Sequence, residues 1–471
     1  MRLPVRNPRT GETDHWIEPL DVGALARITA RLRANQPDWA ALSPEVRGQH
    51  LNAFADALVR QRGALVHALT RDTGRARVSA IEVDGTVAMV RRWATRAPAL
   101  LAPASPRATA IPGIDTQTRL VPYPLVGAIS PWNFPLTLAL IDAIPAIAAG
   151  CAALVKPSEV TPRFIEPLLT AIREVPEIAA VLAVVEGDGA TGAALVEQVD
   201  FIAFTGSVAT GRKVGVAAAV AMIPASLELG GNDPLIVLAS ADPVAAAHVA
   251  LLASVLNTGQ ACQSIERVLV ARAVAEPFLA ALTSAAQAVR LNHPDIAHGD
   301  IGPFIHGPQA AIVQAQIDDA VAKGATVLAG GKVETLGGGL YLRPTVLTGV
   351  TPDMAVLRDE TFGPVIPVQV FETPDDAVAL ANAGEFGLSA AVLGEPAEAE
   401  AVAVRLRAGA VSINDGSLTS MVWEAEKSSF GASGLGPSRM GDTGLLRFCR
   451  RQALIRQTGT PLPLSAYAED A

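Results

Sequence analysis

From Val126 onward the chain alternates short, continuously apolar runs with segments of helical length, and that alternation admits few folds. An apolar run without polar alternation reads as a strand buried on both faces, as happens when helices cover both sides of a parallel sheet. Val126–Ser130, Ala152–Lys156, Ala183–Glu186 and Phe201–Phe204 form a first series, with helices expected after Phe134, Thr161, Gly189 and Ser207. A second series follows Gly231: Pro234–Leu238, Arg267–Ala271, Thr326–Leu328, Val365–Phe371, Ala390–Leu393 and Ala410–Ile413. The reading is an α/β chain with two doubly wound, Rossmann-like α/β domains.

Upstream, the pattern is helical. Asp21 can cap a helix through about Asn35, Ser43-Pro44 opens an amphipathic stretch to Arg71, and Asp72-Thr73-Gly74 breaks it before a helix from about Ser79 to Arg96. Leu101–Pro122, rich in Pro and Thr, reads as irregular or as an extended hairpin. A length of 471 residues exceeds what one core supports. The net charge of -9, with no basic cluster, argues against nucleic acid and anionic membranes as partners. Residues 1–19 lack the apolar core of a secretory signal, and the apolar run Leu136–Val155 holds Asp142 and Pro145, so it reads as a buried helix feeding a strand. The cysteines Cys151, Cys262 and Cys449 are dispersed and odd in number, which favours a reducing, cytoplasmic compartment over a disulfide framework. The histidines show no metal-ligand spacing, so no metal is expected.

Several motifs sit where a strand gives way to a helix. Pro131-Trp132-Asn133-Phe134-Pro135 can aim the neutral Asn133 amide across a cleft as an oxyanion donor; the plainer reading is a rigid turn set by two prolines. Lys156-Pro157-Ser158-Glu159 lies at a strand's carboxyl edge, where Lys156 and Glu159 can bracket a ribose, though a helix-start turn accounts for it equally. In Phe201–Ser207 a strand runs into Gly206 and a Ser207 cap, a phosphate-binding helix start without the G-x-G-x-x-G fingerprint, or an ordinary cap. Leu227–Val270 places Glu228 ahead of Gly230-Gly231 and Cys262 within Asn257-Thr258-Gly259-Gln260-Ala261-Cys262. Such a polar turn is a poor home for a core cysteine and a good one for a nucleophile, with Glu228 as a candidate base or simply a paired or solvated acid at a strand end.

These motifs and their order resemble the NAD(P)-dependent aldehyde dehydrogenase superfamily over about residues 20–460. The resemblance implies that fold: a coenzyme-binding domain over 1–103 and 123–230, a catalytic domain over 231–450, and an oligomerisation arm over 104–122 and 451–471. It implies Cys262 as nucleophile, Glu228 as the base for hydrolytic water, and Asn133 as oxyanion donor with the Cys262 N–H. Trp132, Lys156, Ser158, Glu159, Gly206 and Ser207 would hold the coenzyme, with Glu360 and Phe362 of Glu360-Thr-Phe-Gly-Pro364 at its nicotinamide end. Glu159 leans the choice towards NAD, with NADP tolerated, because a carboxylate repels a 2'-phosphate.

The implied assembly is a homodimer or homotetramer, with a small aldehyde as substrate. Apolar Phe134, Leu138 and Ile141, following Asn133 on one helix, favour uncharged aliphatic or aromatic aldehydes. Two further readings are a CoA-acylating dehydrogenase and a non-catalytic coenzyme-binding relative; a cysteine hydrolase would need a histidine that the sequence does not offer near Cys262. Three positions depart from the family pattern: Asn232-Asp233 where Lys-Ser is commoner, Asp142 where the helix often has Lys, and a shortened Ser428–Gly434 segment without its usual Lys or Arg.

Overall fold

The computed structural model describes residues 2–469. Its first sheet has the order Gly434–Leu435, Ala225–Glu228, Phe201–Thr205, Leu125–Ile129, Ala152–Lys156, Leu182–Val184, parallel except for the Gly434–Leu435 edge. Leu125–Ile129 is first in sequence yet central. The chain winds outward through Ala152–Lys156 and Leu182–Val184, then returns to Phe201–Thr205 on the other side. Crevices for ligands form where winding reverses in this way, outside the carboxyl ends of the strands. Those ends carry Trp132 and Asn133, Lys156 to Glu159, and Gly206 with Ser207.

The second sheet runs Thr326–Ala329, Thr345–Thr348, Val365–Phe371, Ile265–Ala271, Asp233–Val237, Ser389–Leu393, Ala410–Ile413, antiparallel only at its first pair. Both Ile265–Ala271 and Asp233–Val237 are wholly buried, as their apolar runs require. Thr345–Thr348 was not among the expected strands, and Gly337-Gly338 proves to be the turn of a hairpin between Val333–Leu336 and Gly339–Leu342. Separate hydrophobic cores lie under the two sheets.

Local sequence chemistry sets the helices that frame the first sheet. Asp21 accepts from the Ala24 N–H and Ser43 from the Val46 N–H, starting Val22–Ala41 and Pro44–Arg60, and left-handed Gly74 ends Arg62–Thr73. The stretch expected as one helix to Arg71 is therefore two, and the expected end near Asn35 moves to Ala41. Helix Ala76–Leu100 packs its buried Val83, Val87, Val90 and Trp93 inward.

The arm region Leu101–Pro122 contains strand Ile114–Pro122, which pairs antiparallel along its whole length with Cys449–Gln457 and more briefly with Arg107–Ala108. One expected boundary gives way. Residues 434–448 lie inside the stretch expected to form the catalytic domain to 450, yet Gly434 and Leu435 pair with Glu228 and Leu227, and Leu445 and Phe448 are fully buried in the first core. The chain thus crosses back to the first sheet before reaching the arm. No helix among the described residues is long and apolar enough to cross a membrane.

Candidate active site

Cys262, Glu228 and Asn133 line one cleft between the two sheets, together with Trp132, Leu138, Thr205, Gly206, Ser207, Gln309, Ile312, Glu360 and Phe362. Three separate elements deliver the first three. Glu228 ends strand Ala225–Glu228, in register with Thr205 of the neighbouring strand. Asn133 follows strand Leu125–Ile129 and immediately precedes a helix start. Cys262 follows a tight turn in which Asn257, Thr258 and Gly259 all have positive φ, near 60°, 60° and 68°.

A positive φ is costly for β-branched Thr258, and such strain persists only where the surroundings hold it. The holding groups are visible. Asn257 Nδ2 donates to the Gln260 carbonyl at 2.8 Å, and Thr258 Oγ1 is 3.2 Å from the Gly302 carbonyl and from its N–H. Buried Gln260 accepts from the Ile305 N–H at 2.9 Å. Gly259 admits no side chain, since a Cβ there would lie 2.3 Å from the Gly363 carbonyl carbon.

Asn133 Nδ2 donates to the Gln260 carbonyl at 3.0 Å, which orients the amide and leaves its second N–H for a ligand. The Asn133 segment is held from behind by one helix. Arg75 donates to the Asn133 carbonyl at 3.2 Å, and Glu82 accepts from the Leu136 and Thr137 N–H groups at 2.8 and 3.0 Å. Burial raises the Glu82 carboxyl to about 7.

The thiol of Cys262 is pushed up to about 12, first by burial and then by Glu360, Asp233 and Glu228, while Lys427 opposes the shift. Glu360 is itself raised to about 7 by burial, against a hydrogen bond of 3.2 Å from the Gly231 N–H. Its carboxylate lies so close to Gly230 that a Cβ there would meet it at 2.3 Å. Phe362 has φ near 52° and stacks edge-on to Trp132 at 5.3 Å. That loop hangs on buried Glu266, which accepts from the Thr361 and Phe362 N–H groups at 2.7 Å each.

Gly206 and Ser207 also line the cleft, and Ser207 caps helix Val208–Val220, accepting from the Thr210 N–H at 3.3 Å. Lys156 and Glu159 form an ion pair at 3.1 Å, and Ser158 Oγ accepts from the Val160 N–H. These three stand at the neighbouring strand end and are not part of the cleft around Cys262. Of the apolar residues expected at the entrance, Leu138 lines the cleft, whereas Ile141 is buried in the first core and Phe134 lies against Arg75. The spacing would put all three on one face of a continuous helix, but the helix spans only Pro135–Leu140, with Phe134 in a non-helical conformation before it and Ile141 after it.

Residues 1–454 match the family model described as the aldehyde dehydrogenase family. The chain belongs to the aldehyde dehydrogenase family. Its enzyme class is that of the family. A Mycolicibacterium smegmatis protein provisionally named succinate-semialdehyde dehydrogenase, NADP(+), is 38% identical over 91% of this chain and 84% of that one. The solved structure of an Anabaena variabilis protein provisionally named aldehyde dehydrogenase PutA is 50% identical, covers 98% of this chain and 99% of its own, and superposes with a TM-score of 0.96. A Staphylococcus aureus betaine aldehyde dehydrogenase solved with NAD+ is 29% identical, covers 98% and 95% of the two chains, and has a TM-score of 0.92.

Sequence reasoning missed several groups. Glu266 stood just before the expected strand Arg267–Ala271 and was given no role; the strand in fact begins at Ile265, and an acid in a fully buried strand must be answered by donors. Gln260 was read only as part of a polar turn, and Glu82, on the expected helix from about Ser79 to Arg96, was given no role. The Asp142 departure acquires a partner set: its carboxylate accepts from Arg439 Nε and Nη2 at 3.1 and 3.0 Å and from Arg447. Arg439 also donates to Thr205, and Arg447 to Ser226 at 2.6 Å, so both cations brace the strands beside Glu228. The Ser428–Gly434 segment has no Lys or Arg of its own, but Lys427 immediately precedes it and reaches Gln263, next to Cys262, at 3.2 Å.

Proposed function

We propose that this chain oxidises an aldehyde to its carboxylic acid, with Cys262 as nucleophile, Asn133 and the Cys262 N–H as oxyanion donors, and Glu228 as the base for hydrolysis. The observation that carries the reading is the convergence of these three side chains on one cleft from elements that share no local sequence. A thiol raised to about 12 is almost wholly protonated at neutral pH, so attack must be coupled to loss of its proton, and Glu228 stands in the same cleft to take it. The thiolate forms a C–S bond to the carbonyl carbon while the carbonyl electron pair moves onto oxygen. The second Asn133 N–H and the Cys262 N–H then stabilise that charge.

The chemistry of the cleft suits a dinucleotide: a winding reversal, a capped helix start at Ser207, and Lys156 and Glu159 on the next strand end. When bound, NAD or NADP supplies the acceptor for the hydride released as the oxyanion collapses to the Cys262 thioester. Ser207 and Gly206 would lie by its phosphates, Lys156, Ser158 and Glu159 by its adenosine ribose, and Trp132, Glu360 and Phe362 by its nicotinamide end. Glu159 favours NAD, and Lys156 beside it allows NADP. Once Glu228 has released the thiol's proton to solvent, it draws a proton from water, which attacks the thioester carbon, and the Cys262 thiolate leaves as the acid forms.

On this reading residues 1–103 and 123–230 bind the coenzyme and the chain from 231 carries the nucleophile. The sheet of Ile114–Pro122 with Cys449–Gln457 is a subunit contact in a dimer or tetramer. Leu138, Ile312 and Phe362 make the cleft wall apolar and favour uncharged aliphatic or aromatic aldehydes. A carboxylated semialdehyde is the second reading, favoured by the name of the M. smegmatis relative.

The test is reduced-coenzyme formation from aliphatic, aromatic and carboxylated aldehydes with NAD or NADP, with and without CoA. Steady CoA-independent turnover, highest with uncharged aldehydes and lost in Cys262→Ala, is the expected result. A burst relieved by CoA would replace the hydrolytic reading with acyl transfer to CoA. Coenzyme binding without turnover of any aldehyde would leave a non-catalytic relative.

A further inference from the structure

Lys427 is a cation without a carboxylate partner. Its Nζ donates to Gln263 Oε1 at 3.2 Å and to the Thr419 carbonyl, both neutral, and it enters no ion pair among the described residues. Lys427 is half-buried, and burial lowers its pKa while Cys262, Glu228 and Asp233 raise it and Arg439 lowers it. Holding a cation this way is unfavourable unless an anion appears beside it. The backbone fixes the position, because the Lys427 N–H donates to Ser438 Oγ at 2.9 Å. Two residues further on, Ser429 Oγ lies 3.4 Å from Glu228 Oε2. One short stretch therefore touches both the neighbour of the thiol and the base.

The charged groups around Cys262 are the acids Glu228, Asp233 and Glu360 and the cations Lys427 and Arg439, of which Arg439 is already paired with Asp142. Ionising Cys262 in the company of the acids alone would place like charges together.

We propose that Lys427 is a positioning residue whose ammonium stabilises the Cys262 thiolate, with Gln263 and the Thr419 carbonyl holding it in place. The inference rests on the reading of Cys262 as nucleophile. Lys427 does not line the cleft wall around the thiol, so it acts through Cys262 and not on the aldehyde. It supplies, one residue before the Ser428–Gly434 segment, the cation which that segment itself lacks. A nearby opposite charge shifts a thiol by roughly one to three units, so removing it should lower the thiolate population about tenfold or more at a given pH.

The experiment is the pH dependence of Cys262 alkylation by iodoacetamide, followed at peptide resolution by mass spectrometry on the full chain. Lys427→Met should move the profile to higher pH and slow alkylation about tenfold at pH 8, and Lys427→Arg should restore it. Lys427→Gln, which keeps a donor for Gln263 and Thr419, serves if the Met variant does not fold, and should show the same loss. A neutral variant with the wild-type profile overturns the proposal, as does equal loss in the Arg and neutral variants, which would assign the effect to shape. A Cys262→Ala protein that still oxidised aldehydes would instead refute the nucleophile reading, while leaving the alkylation profiles to decide the role of Lys427.

Discussion

Replacing Asp142 with Asn tests the cluster that braces Glu228. The carboxylate is 3% exposed and the side chains of Arg439 and Arg447 are 9% and 0% exposed, so solvent screens none of the three appreciably. Asn keeps the shape but removes the charge, leaving two guanidinium groups facing each other without a counter-ion. Breaking one buried pair costs about 3–5 kcal/mol, and a carboxylate shared by two cations should sit at the upper end of that range. Against a typical total stability of about 5–15 kcal/mol, such a loss is large. Urea denaturation followed by far-UV circular dichroism should show a sharp fall in the midpoint. Adding Arg447→Met to Asp142→Asn should recover about 1–3 kcal/mol, because it removes one stranded cation. An Asp142→Asn protein within about 1 kcal/mol of wild type, or strictly additive variants, would refute the argument that the three charges form one unit.

Asn133→Ala should lower turnover about a hundred- to a thousandfold with coenzyme affinity unchanged, checked by kcat and by fluorescence titration. Glu159→Gln removes the charge that would face a 2'-phosphate, so kcat/KM with NADP should rise relative to NAD; an unchanged ratio would remove Glu159 from coenzyme choice. Glu82, Asp233 and Glu360 are each raised to about 7, chiefly by burial, whereas in the unfolded chain they ionise near 4. The fold therefore holds more protons than the unfolded chain between about pH 4 and 7, and their contribution to stability is lost as pH rises through about 7. The urea midpoint should be lower at pH 8 than at pH 6, and a higher midpoint at pH 8 would contradict this.

Much of the architecture was legible because it is local. Ala152–Lys156, Val365–Phe371 and Ala410–Ile413 form at the expected bounds, since a continuous apolar run between turn residues has one good way to be buried. Thr345–Thr348 escaped because four residues after a proline carry too little pattern. The return of Gly434–Leu435 to the first sheet escaped because pairing partners across a chain reversal leave no mark in either sequence. The same limit applies to the site. Cys262, Glu228 and Asn133 each stand in a motif that betrays them, whereas Asp142 meets Arg439 and Arg447 across 297 and 305 residues. Lys427 lies outside the Ser428–Gly434 motif used for comparison, and only the fold brings it to Gln263.

The central claim is that the acyl group passes through Cys262 and is released by water that Glu228 activates. The most direct measurement is the intact and peptide mass of Glu228→Gln protein mixed with an aldehyde substrate and oxidised coenzyme, then quenched in acid. One acyl group on Cys262 per chain, formed with a single equivalent of reduced coenzyme and little further turnover, is the predicted result. Normal steady turnover by Glu228→Gln with no acyl group on Cys262 would contradict it.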